Sequence, residues 1–218
     1  MVHSPLVGPS TVSPLALALS AQGWSVTAPD LRQATVTPRD YLAFVVRSCS
    51  KAEVVIGHSG AGAFLPEIAD RVDAAVTVFV DAVLPGEDPP FLPSQGFVDF
   101  INGLPTHAGL LPPWDQWWPV DTMNALIADN EVRETVVAEL SAIPRSFYDE
   151  SIDFPRSWWT RPAAYLQLSR AYGAELARAD AWNWPTIRRD GGHLDLVAHP
   201  TDIAQDIVSL VASILPTP

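Results

Sequence analysis

The sequence is poor in the residue types on which several common functions depend. Cys49 is the only cysteine among 218 residues, so the chain cannot form an internal disulfide. Its cysteine and histidines do not have the spacing of a zinc site, and we expect neither a metal nor another cofactor. Lys51 is the only lysine, and its predicted position at a helix end makes it a poor candidate for Schiff-base chemistry.

Positive charge is also scarce. Lysine and arginine together number 13 against 25 aspartate and glutamate residues, which gives a formal net charge of −12. Such a surface repels phosphate backbones and anionic lipid, so we expect no nucleic-acid or membrane partner. We expect a small-molecule substrate, and a homodimer is left open. Hydrophobic residues make up 48% of the chain, which is enough for a sizeable core and argues against disorder.

The chain also lacks an apolar run long enough to span a bilayer. Residues 15–19 resemble the short core of a signal peptide, but no lysine or arginine precedes them. Ser13 followed by Pro14 is instead typical of a helix N-cap and a first helical residue. We therefore expect a helix at this position and a cytoplasmic protein.

Short β-rich runs alternate with helical runs on both sides of a central stretch. The predicted strands are residues 2–3, 24–29, 53–57, 74–80, 163–168 and 186–188. The predicted helices are residues 13–22, 38–50, 61–71, 171–181 and 201–214. This alternation predicts an α/β fold in which helices flank one mostly parallel sheet through right-handed crossovers.

The central stretch, residues 85–162, differs in composition from the rest of the chain. Its 78 residues hold 11 of the 21 prolines and five of the eight tryptophans, and no strand pattern in it is convincing. Helices are predicted around 97–103, 121–128 and 131–142. We interpret the stretch as a helical lid, inserted after the fourth strand over one end of a core formed by residues 1–84 and 163–218.

The sharpest chemical signal lies in residues 54–63, whose sequence is VVIGHSGAGA. It places Ser59 at a turn between a buried strand and a helix, where a tight elbow lifts the hydroxyl above the sheet. Such a turn needs small residues two positions before and after the serine, and Gly57 and Ala61 meet this need. The N–H of Gly60 would then point at a developing oxyanion. A turn that only packs closely or holds a phosphate is the alternative, but the flanking strand and helix favour a nucleophile.

His193 is the best candidate for the base that a serine nucleophile needs. It lies in the sequence DGGHL, between the last predicted strand and the last helix. Loops at this edge of an open α/β sheet carry ligand-binding groups, and the glycine pair lets the backbone bring the imidazole inward. His58 should point away from the serine, His3 lies in the first loop, and His199 stands at a helix start.

With the order Ser59, lid, His193, the chain resembles the α/β-hydrolase superfamily. Val2 and His3 followed by a turn, and Asp30 after the second predicted strand, add to the similarity. The resemblance extends over nearly the whole chain and is strongest to the small branch that includes esterases and hydroxynitrile lyases. It implies an α/β-hydrolase fold and leaves the substrate open.

The resemblance also implies an oxyanion hole, and here the sequence departs from the family. The family's second N–H donor follows a His-Gly pair, and the matching residues His3 and Ser4 place Pro5 at the donor position. Proline has no N–H, so Leu6 becomes the candidate for the second donor beside Gly60. Loss of one donor would cost about 10²–10³ in rate.

The acid of the family's triad usually follows the penultimate strand, where this sequence has no carboxylate before Glu175. The family's alternative is the end of the preceding strand, where Asp81 stands in the sequence FVDA. We therefore predict that Asp81 orients His193. Glu175, Glu150 and Asp153 remain as alternatives.

The predicted lid is rich in aromatic residues, most of which we expect to serve packing. Some should line an apolar pocket over Ser59. The candidates are Trp114, Trp117, Trp118, Phe147, Trp158 and Trp159.

The predicted function is hydrolysis of a small or medium apolar ester, lactone, thioester or amide by a serine nucleophile. The alternatives are a non-hydrolytic lyase, cyclase or isomerase that moves a proton, and a non-catalytic ligand-binding protein on the same fold. Cyanohydrin cleavage is disfavoured because the lyases that the chain resembles use a lid lysine, which residues 85–162 lack.

Overall fold

The computed structural model describes residues 1–34, 36–49 and 51–215. Its strands, in chain order, are β1 (Val54–His58), β2 (Val76–Val80), β3 (Leu110–Leu111), β4 (Ile143–Pro144), β5 (Ala163–Gln167) and β6 (Thr186–Arg188). Its α-helices are α1 (Ser13–Ala21), α2 (Pro38–Ser48), α3 (Leu65–Arg71), α4 (Gln95–Asn102), α5 (Thr122–Leu126), α6 (Asn130–Ala138), α7 (Gly173–Ala181), α8 (Asp195–Ala198) and α9 (Pro200–Ile214). Within the described ranges, no helix combines the length and the apolar character that crossing a membrane requires.

A parallel four-stranded sheet forms the centre of the molecule. Its strand order is β1-β2-β5-β6, and all three neighbouring pairs run in the same direction. The strands β2 and β5 are buried along their whole length, and their sequences VTVFV and AAYLQ are largely apolar. Such continuous apolar runs suit a parallel sheet that is covered on both faces.

Two hydrophobic cores lie on opposite faces of this sheet, because side chains alternate along each strand. On one face, Val55, Phe79 and Tyr165 belong to a cluster with buried residues of α2, α3 and α7. On the other face, Ile56 and Leu166 cluster with buried residues of α1, α8 and α9. The predicted architecture, a parallel sheet flanked by helices, is confirmed.

Two of the predicted strands are not strands of this sheet. Residues 2–3 are reduced to a single parallel bridge between Val2 and Gly57. Residues 24–29 form no regular structure, so the prediction of a strand there is wrong. Their alternate side chains, at Trp24, Val26 and Ala28, pack against the core as those of a strand would, which explains the misleading pattern.

The predicted helix starts agree with the observed ones to different degrees. The helix predicted from residue 38 begins there, and Thr37 caps it, since its Oγ accepts a hydrogen bond from the N–H of Asp40 at 3.1 Å. By contrast, α1 begins at Ser13 itself, so the prediction of Ser13 as the N-cap is wrong by one residue. The predicted end of the second helix at Ser50 lies outside the described residues, as do the last three residues of the predicted core range 163–218.

Residues 85–162, here called the inserted segment, join β2 to β5. They contain α4, α5 and α6 close to the three predicted helices. They also contain β3 and β4, which pair antiparallel and which the sequence did not predict, because two residues are too short for a periodic pattern. The segment follows the second strand of the observed sheet, since the first two predicted strands are not part of it.

Candidate active site

Ser59 occupies a sharp turn directly after β1. It begins a 3₁₀ turn, Ser59–Phe64, and its φ of 57° lies in the left-handed region that a serine rarely adopts. Gly60 is the second residue of this turn, so its N–H has no acceptor inside the turn and is available to a ligand. The local conformation is therefore that of a strained elbow at the carboxyl edge of the sheet.

Small residues around Ser59 are required by close contacts on both sides. A Cβ at Gly57 would lie 2.6 Å from Cδ2 of Leu65, the first residue of α3. Farther along the turn, a Cβ at Gly62 would lie 2.0 Å from the carbonyl oxygen of Val83. The elbow thus packs closely against α3 on one side and against residues 82–83, which follow β2, on the other.

Asp81 follows β2 and is held in a second left-handed turn, with φ of 41°. The hydroxyl of Tyr165 fixes the next residue, since it donates to the Ala82 carbonyl at 2.7 Å and accepts from the Ala82 N–H at 3.0 Å. The N–H of Asp81 itself donates to the Leu166 carbonyl at 2.7 Å. These bonds fix the direction in which the aspartate leaves the sheet.

The Asp81 carboxylate is fully buried and accepts four hydrogen bonds. Its Oδ1 accepts from the N–H groups of Leu168 and Ser169 at 2.9 Å each. Its Oδ2 accepts from the Ser169 hydroxyl at 2.7 Å and from Nδ1 of His193 at 2.7 Å. Burial by itself raises the pKa of Asp81, but the bonds from His193 and Ser169 outweigh it and hold the pKa below its usual value. The group is therefore a carboxylate at neutral pH.

The His193 imidazole links this carboxylate to the elbow. Asp81 accepts from Nδ1, so the neutral ring presents an unprotonated Nε2 to Ser59, whose Oγ lies 3.0 Å away. The structure thus brings together Ser59, His193 and Asp81, the three residues that the sequence singled out. This arrangement can remove the proton from a serine hydroxyl and stabilise the imidazolium that forms.

The loop that carries His193 runs close to its neighbours in the fold. A Cβ at Gly191 would lie 1.9 Å from Oδ2 of Asp195, and the N–H of Gly191 donates to the Leu168 carbonyl at 2.9 Å. The loop after β6 therefore passes close to both the start of α8 and the end of β5. The imidazole at the end of this loop lies against the Asp81 carboxylate, with Nδ1 2.7 Å from Oδ2.

The alternative acids do not contact His193. Glu175 lies on α7, where burial raises the pKa of its carboxyl. Glu150 and Asp153 lie on the inserted segment with exposed side chains. Of the four candidates, Asp81 is the one hydrogen-bonded to the imidazole.

His58 does not point away from the site, so that sequence expectation is wrong. Its Nε2 donates to the main-chain carbonyl of His193 at 2.9 Å, and the two rings lie 4.5 Å apart. Its Nδ1 is buried and has no hydrogen-bond partner. Burial and, after it, the neighbouring His193 lower the pKa of His58 from 6.5 to about 3, so its ring is neutral. His58 anchors the loop that carries the candidate base.

Tyr172 is a site residue that sequence reasoning missed. Its ring is stacked on that of His193, with centroids 5.2 Å apart and planes 12° apart. Its hydroxyl lies 3.4 Å from Ser59 Oγ, and burial raises the pKa of the phenol, which keeps it protonated. The available signal was its position in the loop after β5, at the same sheet edge as the three predicted residues.

The loop after His3 closes the other side of the site. Leu6 lines the cavity, but its N–H donates to Ser4 Oγ at 3.3 Å, so it is not free to bind an oxyanion while that bond is made. Pro5, which has no N–H, stands between them. The expected second donor from Leu6 is therefore engaged within its own loop.

A small cavity lies over these groups. It is lined by Ser4, Leu6, Val7, His58, Ser59, Trp114, His193 and Leu194. A larger cavity lies at the other end of β1, among residues that include Met1 and Val54, and contains none of the candidate catalytic groups. In the described ranges, no group of three or more His, Cys, Asp or Glu side chains is arranged to hold a metal ion.

Of the six aromatic residues expected to line the pocket, Trp114 does so, and its ring centroid lies 6.0 Å from that of His193. The other five do not line this cavity, which corrects the expectation. Trp117 and Trp118 pack on Phe100, and Phe147 packs on Phe64. Trp158 and Trp159 pack against Trp182. Composition identified the aromatic cluster but not which ring faces the cavity.

The comparisons with known proteins agree with this geometry. Residues 2–206 match the sequence profile of the Alpha/beta hydrolase family, and the chain belongs to that family. No protein of curated function matches the sequence significantly.

Three solved structures illustrate the likeness. An extracellular α/β-hydrolase from a Paenibacillus species has 15% identity and a TM-score of 0.69, over 98% of this chain and 96% of its own. A pyrethroid hydrolase from Sphingobium faniae JZ-2 has 15% identity and a TM-score of 0.72, over 99% of this chain and 97% of its own. The thioesterase domain from the curacin biosynthetic pathway has 16% identity and a TM-score of 0.60, over 95% and 89%. At such identities the likeness establishes the fold and not the substrate.

Proposed function

We propose that the protein is a serine hydrolase in which Ser59 is the nucleophile, His193 the general base and Asp81 the residue that orients the imidazole. The observation that carries this proposal is the unbroken line of hydrogen bonds from Asp81 to His193 and on to Ser59, at 2.7 and 3.0 Å. The left-handed backbone of Ser59 supports it, because a strained serine at a strand end is the conformation that exposes a nucleophile.

In the first half of the reaction, Ser59 Oγ attacks the substrate carbonyl while His193 Nε2 takes the hydroxyl proton. The carbonyl oxygen becomes an oxyanion, to which the N–H of Gly60 donates a hydrogen bond. The imidazolium is stabilised by the buried Asp81 carboxylate. When the intermediate collapses, the bond to the leaving group breaks, and the leaving group takes the proton from Nε2.

In the second half, water attacks the acyl group on Ser59. His193 Nε2 removes one proton from that water and returns it to Ser59 Oγ as the acyl–oxygen bond breaks. The acid product leaves and the free hydroxyl is restored. The atoms and protons of both half-reactions balance with the substrate, one water molecule and the side chains of the site.

The proposed substrate is a small or medium ester, lactone, thioester or amide with an apolar acyl group. Four apolar side chains in the cavity wall support this class: Leu6, Val7, Trp114 and Leu194. The space in this cavity that a water molecule can enter is only about 10 Å³, far below the range of roughly 300–1,000 Å³ that is common for ligand pockets. A short acyl chain therefore fits better than a long one.

Proton transfer without hydrolysis is the second candidate, and Pro5 is the observation that favours it. The residue at the family's donor position has no N–H, and proton abstraction need not stabilise a tetrahedral oxyanion. In this case the same His193 would act on a substrate C–H or O–H, and Ser59 would bind rather than attack.

A panel of p-nitrophenyl esters from acetate to octanoate, with a matched thioester, tests the proposal. We expect turnover that falls as the acyl chain lengthens and that drops to background in Ser59→Ala, a loss of about 10⁶ in kcat. Ser209→Ala is the matched control, because that hydroxyl lies exposed on α9 and bonds only to the Gln205 carbonyl. Turnover retained in Ser59→Ala would exclude the serine mechanism, and no turnover by the folded wild type would favour proton transfer.

A further inference from the structure

After Ser4, the loop to Val7 offers no free backbone donor to the site. Pro5 has no N–H. The N–H of Leu6 donates to Ser4 Oγ at 3.3 Å, and that of Val7 donates to the Ser4 carbonyl at 3.2 Å. Every main-chain donor that follows Ser4 in this turn is therefore absent or engaged.

The Ser4 side chain stands where such a donor is missing. Ser4 is only 1% exposed, yet it lines the same cavity as Ser59 and His193. Its Oγ lies 3.0 Å from the point that a Cβ on Gly60 would occupy, which places the hydroxyl beside the one expected oxyanion donor. Its oxygen accepts from Leu6, and among the described residues its proton has no acceptor.

We propose that the Ser4 hydroxyl donates the second hydrogen bond to the oxyanion, beside the N–H of Gly60. The inference rests on the proposed acyl transfer, since only that reaction forms an oxyanion at this point. The bond from Leu6 polarises the Ser4 hydroxyl, which makes it a better donor. The chain thus replaces the family's backbone donor by a side chain one residue earlier.

The backbone that carries this hydroxyl is also fixed in advance of the reaction, which favours a preorganised donor. His3 Nδ1 donates to the Ser4 carbonyl at 2.9 Å, while its Nε2 accepts from the N–H of Leu31 at 3.0 Å. The Tyr41 hydroxyl donates to the carbonyl of His3. A neutral ring with its proton on Nδ1 is required for this pair of bonds, and burial lowers the pKa of His3 accordingly.

Kinetics of Ser4→Ala on the preferred ester test the proposal and separate it from the Leu6 alternative. We expect kcat to fall about 10²–10³-fold with little change in KM. The same variant frees the N–H of Leu6 by removing its acceptor. If Leu6 were the donor, Ser4→Ala would keep or raise kcat, and that result would overturn the proposal.

Affinity for a trifluoromethyl ketone gives a second measurement, because its hemiketal adduct on Ser59 carries an oxyanion. We expect Ser4→Ala to weaken this inhibitor by a factor similar to the loss in kcat. Ser4→Cys keeps the shape but offers a weaker donor, so we expect at least a tenfold loss in kcat with a near-wild-type melting temperature. Ser4→Cys at wild-type kcat would overturn the proposal even if Ser4→Ala failed to fold.

Two control variants distinguish a failure of the Ser4 proposal from a failure of the proposed function. Ser13→Ala removes a hydroxyl from the same N-terminal part of the chain, where it bonds to the Pro9 carbonyl outside the cavity, and should leave kcat unchanged. Ser59→Ala should abolish turnover. If Ser59→Ala lost activity and Ser4→Ala did not, the Ser4 proposal alone would fail; if Ser59→Ala kept activity, the proposed function would fail first.

Discussion

The carboxyl edge of the parallel sheet and the inserted segment hold their important side chains in different ways. At the sheet edge, hydrogen bonds fix each reactive atom: four reach the Asp81 carboxylate, and His193 uses both ring nitrogens. In the inserted segment, rings pack on rings, as where Trp158 contacts Phe79, Phe154, Trp182 and Trp184.

This difference explains what each region can contribute. Directional bonds fix atoms closely enough for proton transfer, and they depend on backbone positions that the fold itself supplies. Ring packing fixes volume rather than single atoms, so it can shape a cavity without specifying chemistry. In the proposed mechanism the sheet edge therefore carries the reaction, and Trp114 in the cavity wall influences which substrate is preferred.

Among changes that keep Ser59, Asp81→Asn should produce the largest effect on the sheet edge. The amide would present an N–H₂ group or a weaker acceptor to His193, which favours the tautomer with its proton on Nε2 and leaves no base for Ser59. We expect kcat to fall about 10⁴-fold, measured at saturating ester, while the far-UV circular dichroism spectrum stays that of the wild type.

The rival acids provide the controls for this prediction. Glu150→Gln and Asp153→Asn change exposed side chains of the inserted segment and should leave kcat within about twofold. Glu175→Gln changes a partly buried carboxyl on α7 and should also leave it near the wild type. A collapse of kcat in one of these three, with Asp81→Asn active, would refute the role of Asp81.

A comparison of Trp158→Ala with Trp114→Ala tests whether Trp158 serves packing while Trp114 serves the substrate pocket. Trp158 is 4% exposed, so its loss should cost about 3–5 kcal/mol in the free energy of unfolding, with KM unchanged. Trp114 lines the cavity, so its loss should change KM about tenfold, with a smaller cost in stability. Urea unfolding and ester kinetics on both variants would detect a reversed pattern, which would show that Trp158 contacts substrate.

His58 should make stability depend on pH. The unfolded chain binds a proton on this ring at about the ordinary pKa of 6.5, whereas the folded protein does so only near 3. The unfolded state thus binds more protons between these values, so stability is lost as pH falls through this window. At pH 4.5 the loss from this group should be about 2–3 kcal/mol relative to pH 7.

His58→Gln isolates this contribution, because its amide N–H can still donate to the His193 carbonyl while the side chain no longer titrates. We expect urea unfolding at pH 7 and pH 4.5 to show a smaller acid loss in this variant than in the wild type. His107→Gln, at an exposed position on the inserted segment, should show the wild-type loss. Equal losses in all three proteins would mean that His58 is not the group responsible.

Tyr172→Phe should have the smallest effect. Its hydroxyl is 3.4 Å from Ser59 Oγ, a long bond, whereas its ring stack on His193 is kept in phenylalanine. We expect kcat to change by no more than about fivefold, which corresponds to about 1 kcal/mol. A loss above a hundredfold would mean that the phenol takes part in the reaction.

Much of the fold was predictable because its signals are local. Strands β1, β2, β5 and β6 are short apolar runs between helical patterns, and the sequence predicts all four to within two residues at each end. The segment 24–29 misled the prediction because its alternate residues do face the core, although its backbone has no strand partner. Pairing depends on a neighbour, which a local pattern cannot reveal.

The candidate site was predictable to the extent that backbone geometry demands particular residues. Ser59 lies in a turn where a Cβ at Gly57 or Gly62 would lie 2.6 Å from Leu65 Cδ2 or 2.0 Å from the Val83 carbonyl oxygen. His193 was identified by its place in the loop after the last strand, directly after a glycine pair. Tyr172 and the inward-facing His58 carry no such mark, because their roles arise from ring stacking and from a carbonyl 135 residues away in sequence. The same limit applies to the five aromatic residues that pack away from the cavity.

Covalent labelling tests the central claim, that Ser59 is a nucleophile activated by His193, most directly. The folded protein would be treated with a fluorophosphonate, digested, and the adduct located by peptide mass spectrometry. We predict a single adduct on Ser59, formed as fast in Ser209→Ala as in the wild type and absent from Ser59→Ala. No adduct on the folded wild type, or an adduct on another serine that persists in Ser59→Ala, would contradict the account.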